Sequence, residues 1–321
     1  MNDKPEITLI GRLPSPIGGV TIHNERLYYK LLDAGYKCEH IHPRSGIIKL
    51  VSKVLKSEYV YVSINNRIII FLLVVLLRVL SKDHAVCFHG NVNNILGLNG
   101  IFQKLAIKIA KNILVLNKES LAYARKVSSG AITYISAYIE YDLNREVDIN
   151  LIKQLSLRAK GYSSVVCSNA FSKRYSYDGK EIYGILELID YFEKFPDILL
   201  IISNPDGQYE RDFQSSGRIN SNIYFVTHEH NFLDVLDVAN VFIRNTSTDG
   251  DSLSIHEALS KGVITYATDV VQRPVGVISY GQLTELDNSE LLLSINTKSE
   301  VKGMAKKNVF DFLSAELEKL K

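Results

Sequence analysis

The chain has 321 residues, 46% hydrophobic and 22% charged, a length that suits two α/β domains and a composition that excludes disorder over most of it. The formal net charge of +2 hides an asymmetry: residues 1–160 carry 22 Lys/Arg against 12 Asp/Glu, and the remainder 15 against 23. Such a split points the first half either to an anionic partner, such as a membrane surface or a lipid phosphate, or to a solvated basic surface.

The polar start Met1–Pro5 leads directly into a strand at Ile7–Ile10, which is not the pattern of a signal peptide. A helix is predicted over Val20–Ala34, with Leu27, Leu31 and Leu32 on one face and Gly35 as its stop. Strands follow at Cys38–His42 and Tyr59–Ile64. The apolar run Ile68–Leu77 is half the length a spanning helix needs and reads as a buried helix over Arg67–Leu80, ahead of a monotopic membrane contact. Then come a strand at Ala85–Phe88, a helix over Ile101–Lys111, a strand at Ile113–Leu116, a helix over Glu119–Val127 and a strand at Ala131–Ile135. Polar residues 140–162 read as an interdomain connection.

A second alternating series begins with a strand at Ser164–Cys167 and a helix over Ile182–Phe195. Strands at Ile198–Ile202, Ile223–Val226, Val241–Arg244 and Val263–Ala267 follow, with helices over Phe232–Val238 and Ser252–Ser260, and a mostly helical Glu300–Leu320 closes the chain. Repeated strand–helix–strand units of this length build doubly wound parallel sheets. The expected organisation is an N-terminal Rossmann-like domain at 1–160, a C-terminal one at 161–300 and a helix at 301–321 packing back on the first domain. Ligands of such sheets bind beyond the carboxyl ends of the strands, so facing carboxyl edges would place a cleft between the domains. Cys38, Cys87 and Cys167 are widely spaced and each sits in an apolar setting, the pattern of buried thiols in a reducing cytoplasm.

Three strand ends carry polar constellations. Pro14–Val20 follows the first strand, and Gly18–Gly19 opens a helix; paired glycines allow close backbone approach, and the helix start suits a diphosphate or a sugar phosphate, although an ordinary tight turn reads the same. His89–Gly90–Asn91 ends a strand, where a histidine either donates to a sugar hydroxyl or is satisfied within its loop. The longest is Arg244–Ala258, a strand end, a glycine turn and a helix start. There Asp251 or Ser252 is a fitting N-cap, the first N–H groups could meet phosphate oxygens, Asp249 could face a sugar, and Glu257 could accept from a ribose diol. The competing reading is a capping turn with surface charges.

These constellations, in this order, resemble the retaining GT-B glycosyltransferases of the large family four, whose motif is two glutamates separated by seven residues. Asp249 stands at the first position and Glu257 at the second, followed by Ala258–Leu259 and Lys261–Gly262–Val263. The resemblance implies a GT-B fold of two Rossmann-like domains. It implies a glycosyltransferase of hexosyl type moving a sugar from a nucleotide-diphosphate sugar, UDP-sugar before GDP-sugar, to a glycan or lipid-linked acceptor in surface-polysaccharide synthesis. Catalytic roles would fall to Asp249, His89 and Glu257. The donor would lie against Gly18, Gly19, Asp251, Ser252, Leu253 and Ser254, with Glu257 on the ribose. No cofactor, metal or nucleic acid is implied, since basic side chains and helix ends neutralise the leaving diphosphate. The place of work would be the cytoplasm, at the inner face of the membrane if the acceptor is lipid-linked.

The departures are specific. The first acid is Asp rather than Glu, Gly262–Val263–Ile264 replaces the usual Gly-x-Pro, and no arginine follows Ser164–Cys167 where the family has its phosphate-binding cation. Arg174 and Lys180 are the candidates to replace it. Thr227, His228 and His230 follow a strand where the base would lie, and Arg273–Pro274 could line the donor site. Two alternatives use the same fold: a sugar-nucleotide epimerase, and a non-catalytic sugar-nucleotide-binding subunit.

Overall fold

Strands and helices alternate through the chain, and the strands form two separate parallel sheets. The computed structural model describes residues 5–92, 97–140, 147–176, 178–218, 220–286 and 307–320. One unit comprises Met1–Asn144, Gly250–Ser252 and Ala305–Lys321; the other comprises Arg145–Asp249 and Leu253–Met304.

In the first unit the order is β1 (Glu6–Gly11), α1 (Gly19–Asp33), β2 (Lys37–Ile41), α2 (Ile47–Lys56), β3 (Tyr59–Ser63), α3 (Arg67–Val79), β4 (Asp83–Phe88), α4 (Gly97–Ile109), β5 (Asn112–Val115), α5 (Lys118–Val127) and β6 (Ala131–Tyr134). The sheet runs β2-β1-β3-β4-β5-β6, with all neighbours parallel. Its central strands are buried along nearly their whole length, as a sheet covered on both faces requires. One core cluster joins Leu50 and Val54 of α2, Ile70, Val74 and Leu77 of α3, Ala106 and Ile107 of α4 and Ala124 of α5 to Val60, Val62, Val86 and Ile113 of the strands. Four helices therefore cover one sheet face. Local signals set their ends. Asn66 and Asn117 cap α3 and α5 through their side chains, and α1 stops at Gly35, whose φ of 81° turns the next N–H, of Tyr36, back to Leu31 O at 3.0 Å.

The second unit holds α6 (Ile149–Ala159), β7 (Ser164–Asn169), α7 (Ile185–Phe192), β8 (Ile198–Ser203), α8 (Gln208–Ser215), β9 (Ile223–Val226), α9 (Phe232–Leu236), β10 (Val241–Arg244), α10 (Leu253–Ser260), β11 (Ile264–Thr268) and β12 (Val277–Tyr280). Its sheet order is β12-β11-β10-β7-β8-β9, again parallel throughout. The chain changes its direction of winding between β1 and β3 in one sheet and between β7 and β10 in the other. Those are the switch points where the crevices of doubly wound sheets open. A last helix, α11 (Val309–Glu318), has an Asn308–Asp311 capping box and lies with the first unit, where Tyr36 donates to Glu318 at 3.2 Å.

Several expectations need correction. The stretch read as an interdomain connection contains α6, which the cap Asp148 starts and whose Leu151 and Leu155 pack into the second unit's core; residues 141–146 of that stretch lie outside the described residues. Helices α2 and α8 and edge strand β12 were not anticipated, because each buries few residues: Leu50 and Val54, Tyr209 and Phe213, and Tyr280. Helix α3 was read as buried but is so on one side only, with Leu72 and Val79 exposed on the other. The predicted helix over Glu300–Leu320 is observed as α11, with 300–306 outside the described residues. Among the described residues no helix is long and apolar enough to cross a membrane.

Candidate active site

At the switch point of the second sheet, β10 ends in Arg244 beside the end of β7. The Arg244 guanidinium donates to the backbone oxygen of Asn169 at 3.3 Å and lies over the Tyr183 ring at 5.1 Å. It also comes within 3.5 Å of the Asp249 carboxylate through Nε, too poorly aimed for a hydrogen bond, so that buried Nε has no hydrogen-bond partner among the described residues. Asp249 Oδ2 instead accepts from Arg273 Nη1 at 2.8 Å. Arg273 is fixed in turn by donating to Thr268 O at 2.7 Å and Thr268 Oγ1 at 3.2 Å. Thr268 Oγ1 donates to Thr246 O at 2.7 Å, which ties the end of β11 to the loop leaving β10. Two arginines thus share one carboxylate at the strand ends, and Tyr280 and Asn245 link the cluster to the Glu187 carboxylate. The side chains are 13%, 4% and 8% exposed for Arg244, Arg273 and Asp249, so bulk water screens the cluster little.

No arginine directly follows β7 in the sequence, but the end of the neighbouring strand β10 brings the Arg244 guanidinium to the end of β7. Asp249, expected to contact a sugar, lies at this cluster with its Oδ2 accepting from Arg273.

Helix α10 starts at Leu253, one residue after Ser252. Ile255, Ala258 and Leu259 anchor it in the core. Ser252, Leu253, Ser254 and Glu257 are all buried, and Glu257 falls on the second turn. Asp251 is not spent on the helix start: its Oδ2 accepts from Ser136 Oγ at 2.6 Å and from Ala137 N at 2.8 Å, within the first unit. Another helix start is closed to ligands. Glu181 accepts from the N–H groups of Ile185 at 3.2 Å and Leu186 at 3.0 Å, so α7 carries its own anion. Arg174 and Lys180 are exposed on the small hairpin that ends at Ile182; Arg174 Nε donates to Ser172 Oγ at 3.3 Å.

The three base-side candidates differ in exposure. His228 is exposed and Thr227 half-buried. His230 is buried, with Nδ1 donating to His228 O at 2.7 Å and Nε2 hydrogen-bonded to Ser203 Oγ at 2.8 Å. Both ring nitrogens are therefore engaged within the protein.

In the first unit the carboxyl edge carries a connected polar network. Since a carbonyl can only accept, His23 Nδ1–H donates to Ala137 O at 2.7 Å, and Nε2 accepts from Tyr61 OH at 2.8 Å. Burial lowers the His23 pKa to about 4. His89 lies 5.3 Å from His23, ring to ring, and shares a hydrogen bond of 2.8 Å with Ser63 Oγ through Nε2. Burial, with His23 and Arg67 adding to it, holds His89 well below the ordinary histidine value, so the imidazole is neutral. His89, expected to reach a sugar, is a buried residue whose Nε2 is hydrogen-bonded to Ser63. Arg67 donates to His89 O at 2.8 Å, which fixes the end of β4.

The glycines differ in why they are there. Gly18 has a φ of −173°, an extended value open to any residue, and caps α1. A Cβ on Gly18 would come no nearer than 3.9 Å to Thr21 Oγ1, and one on Gly19 would meet nothing within 4 Å among the described residues. The folded chain itself has no need of glycine there. A Cβ on Gly250 would sit 2.8 Å from Gly90 N, so this glycine is required by packing within the first unit. Among the described residues no three of His, Cys, Asp and Glu gather closely enough to share a metal ion.

No family model matches the chain, and no curated protein matches it. Solved structures do. HepE from Anabaena, in complex with UDP and glucose, is 13% identical, with a TM-score of 0.70 over 98% of this chain and 99% of that one. WaaG, a glycosyltransferase involved in lipopolysaccharide biosynthesis, is 11% identical, with a TM-score of 0.59 over 90% of this chain and 89% of that one. UDP-GlcNAc 2-epimerase from Methanocaldococcus jannaschii is 13% identical, with a TM-score of 0.56 over 98% of this chain and 99% of that one. At these identities the likeness is one of fold: the chain has the GT-B architecture of two Rossmann-like domains.

Proposed function

We propose that this protein is a retaining glycosyltransferase that takes a sugar from a nucleotide-diphosphate sugar, UDP-linked before GDP-linked, and transfers it to a glycan or lipid-linked acceptor of a surface polysaccharide. A single observation carries the reading: the Arg244–Asp249–Arg273 cluster at the β7/β10 switch point, which puts fixed positive charge where a leaving diphosphate needs it. Asp249 positions the arginines, Glu257 holds the ribose diol, and the first N–H groups of α10 meet phosphate oxygens. Gly18 and Gly19, neither of which the folded chain needs as glycine, take the donor without a Cβ between. The bond from the anomeric carbon to the phosphate breaks, the bond to the acceptor oxygen forms on the same face, and the acceptor proton passes to the departing diphosphate. That chemistry requires no metal and no cofactor. A lipid-linked acceptor would bring the enzyme to the inner face of the cell membrane. In this reading α6 belongs to the donor domain, and α11 packs back on the acceptor domain.

The likeness to HepE in complex with UDP and glucose supports the donor class, and the likeness to WaaG, a glycosyltransferase involved in lipopolysaccharide biosynthesis, supports the reaction class. The test is turnover with Arg244→Met and Arg273→Met. Both variants should lose donor binding at least about 10-fold, since each removes a charge-assisted contact, and donor affinity unchanged in both contradicts the assignment. The epimerase reading is favoured by the likeness to UDP-GlcNAc 2-epimerase. Incubation with sugar nucleotides and no acceptor separates the two, because only an epimerase releases an isomer.

A further inference from the structure

We infer that the outer side of the α2–α3–α4 layer docks on an anionic lipid surface. The three helices share one core on their inner sides, and Phe71 and Phe102 stack across α3 and α4 with ring centres 5.3 Å apart. Their outer sides should be polar if water were the only neighbour. Instead Ile48 is 84% exposed, Leu55 54%, Leu72 58%, Val79 76%, Leu98 69% and Ile101 56%. So much exposed aliphatic surface on adjacent helices marks a contact face rather than scattered surface residues.

Charge identifies the occupant. Helices α2, α3 and α4 contain no Asp or Glu at all, while Lys49, Lys56, Arg78, Lys104 and Lys108 are exposed on them. Carboxylates on neighbouring strands are already paired, Glu39 with Lys53 and Asp83 with Lys111. A second copy docked through the same patch would set cations against cations with no acid between them. An anionic bilayer meets both requirements: head groups for the lysines and a hydrocarbon boundary for the aliphatic side chains. At 13 residues α3 is roughly 20 Å long, too short to span a hydrocarbon core of about 30 Å, so the layer lies along the surface. This proposal concerns the first unit alone and does not depend on the donor chemistry.

The experiment is sedimentation of the full chain with vesicles of phosphatidylcholine, with and without one-third phosphatidylglycerol, at low and high salt. Partition should be at least about 10-fold stronger on the anionic vesicles and should fall with salt. Each lysine near such a surface is worth roughly fivefold, so Lys49→Glu with Lys56→Glu should cost on the order of 25-fold or more. Leu72→Ser with Val79→Ser should weaken binding at both salt levels, while Leu157→Ser, an exposed residue of α6, should change nothing. All these positions are exposed, so a far-UV melt that stays cooperative confirms the fold of each variant. Equal or absent binding to the two vesicle types overturns the proposal, as do patch variants that bind like the parent. Dimers seen by light scattering that Leu72→Ser with Val79→Ser dissolves, without vesicle binding, would assign the face to a second copy instead.

Discussion

Replacing Asp249 by Ala should destabilise the protein before it says anything about catalysis. The substitution removes the carboxylate that accepts from Arg273 at 2.8 Å and leaves that guanidinium, 4% exposed, without its counter-charge, with Arg244 beside it. A charge-assisted hydrogen bond contributes about 1.5–3 kcal/mol, and the Coulomb attraction of charges some 4 Å apart is about 4 kcal/mol at an effective dielectric constant near 20. The two descriptions overlap, and together they place the loss at about 3–5 kcal/mol, the usual cost of orphaning a buried ion pair. In a unit of this size that lowers the melting temperature by roughly 6–20 °C. Calorimetry of Asp249→Ala, Arg273→Met and the double variant measures it. The double variant should be more stable than the sum of the singles by about 2 kcal/mol, because it no longer buries a lone charge. A melting temperature for Asp249→Ala within about 2 °C of the parent would refute the argument that this carboxylate positions two arginines.

Other expectations are quicker to check. Gly19→Ala should leave the urea midpoint nearly unchanged, since its Cβ meets nothing within 4 Å, yet weaken sugar-nucleotide binding measured by calorimetry. Gly250→Ala should lower stability, because its Cβ would lie 2.8 Å from Gly90 N. Glu257→Gln keeps the shape of a buried side chain and should lower donor affinity at least about 10-fold with little change in melting. Acid should weaken the fold in a defined window. The folded pKa of His23 is depressed to about 4, so the unfolded chain takes the proton first, and the stability held above pH 6.5 is lost as pH falls towards 4. That one group accounts for about 3 kcal/mol, and urea midpoints of His23→Gln should fall less steeply over this range than those of the parent.

Most of the fold could be read in the sequence because the strands of a parallel sheet announce themselves. Runs such as Tyr59–Ser63 and Ile198–Ser203 are apolar without alternation, and glycines such as Gly35 mark the helix ends. Helices that bury only two residues, α2 and α8, carry too weak a stripe to stand out from polar loops. In the candidate site, the segment Asp249–Glu257 was found from its strand–turn–helix context, and His89 from its position at a strand end. Its electrostatics were not legible. That Arg244 turns from β10 towards Asn169 of β7, and that Arg273 reaches Asp249 from 24 positions along the chain, are consequences of strand order, which no local pattern encodes. The same holds for His230, whose neighbour Ser203 is supplied by a different strand.

The central claim is that the second unit binds a nucleoside diphosphate through the arginine pair, and thermal denaturation of the full chain against a panel of nucleotides and nucleotide sugars tests it most directly. A ligand at 100 times its dissociation constant stabilises by about 2.7 kcal/mol, so UDP and a UDP-sugar, or their GDP counterparts, should raise the melting temperature by several degrees in the parent and not in Arg244→Met. Absence of a shift in the parent with every nucleoside diphosphate and nucleotide sugar, at millimolar concentration, would contradict the account.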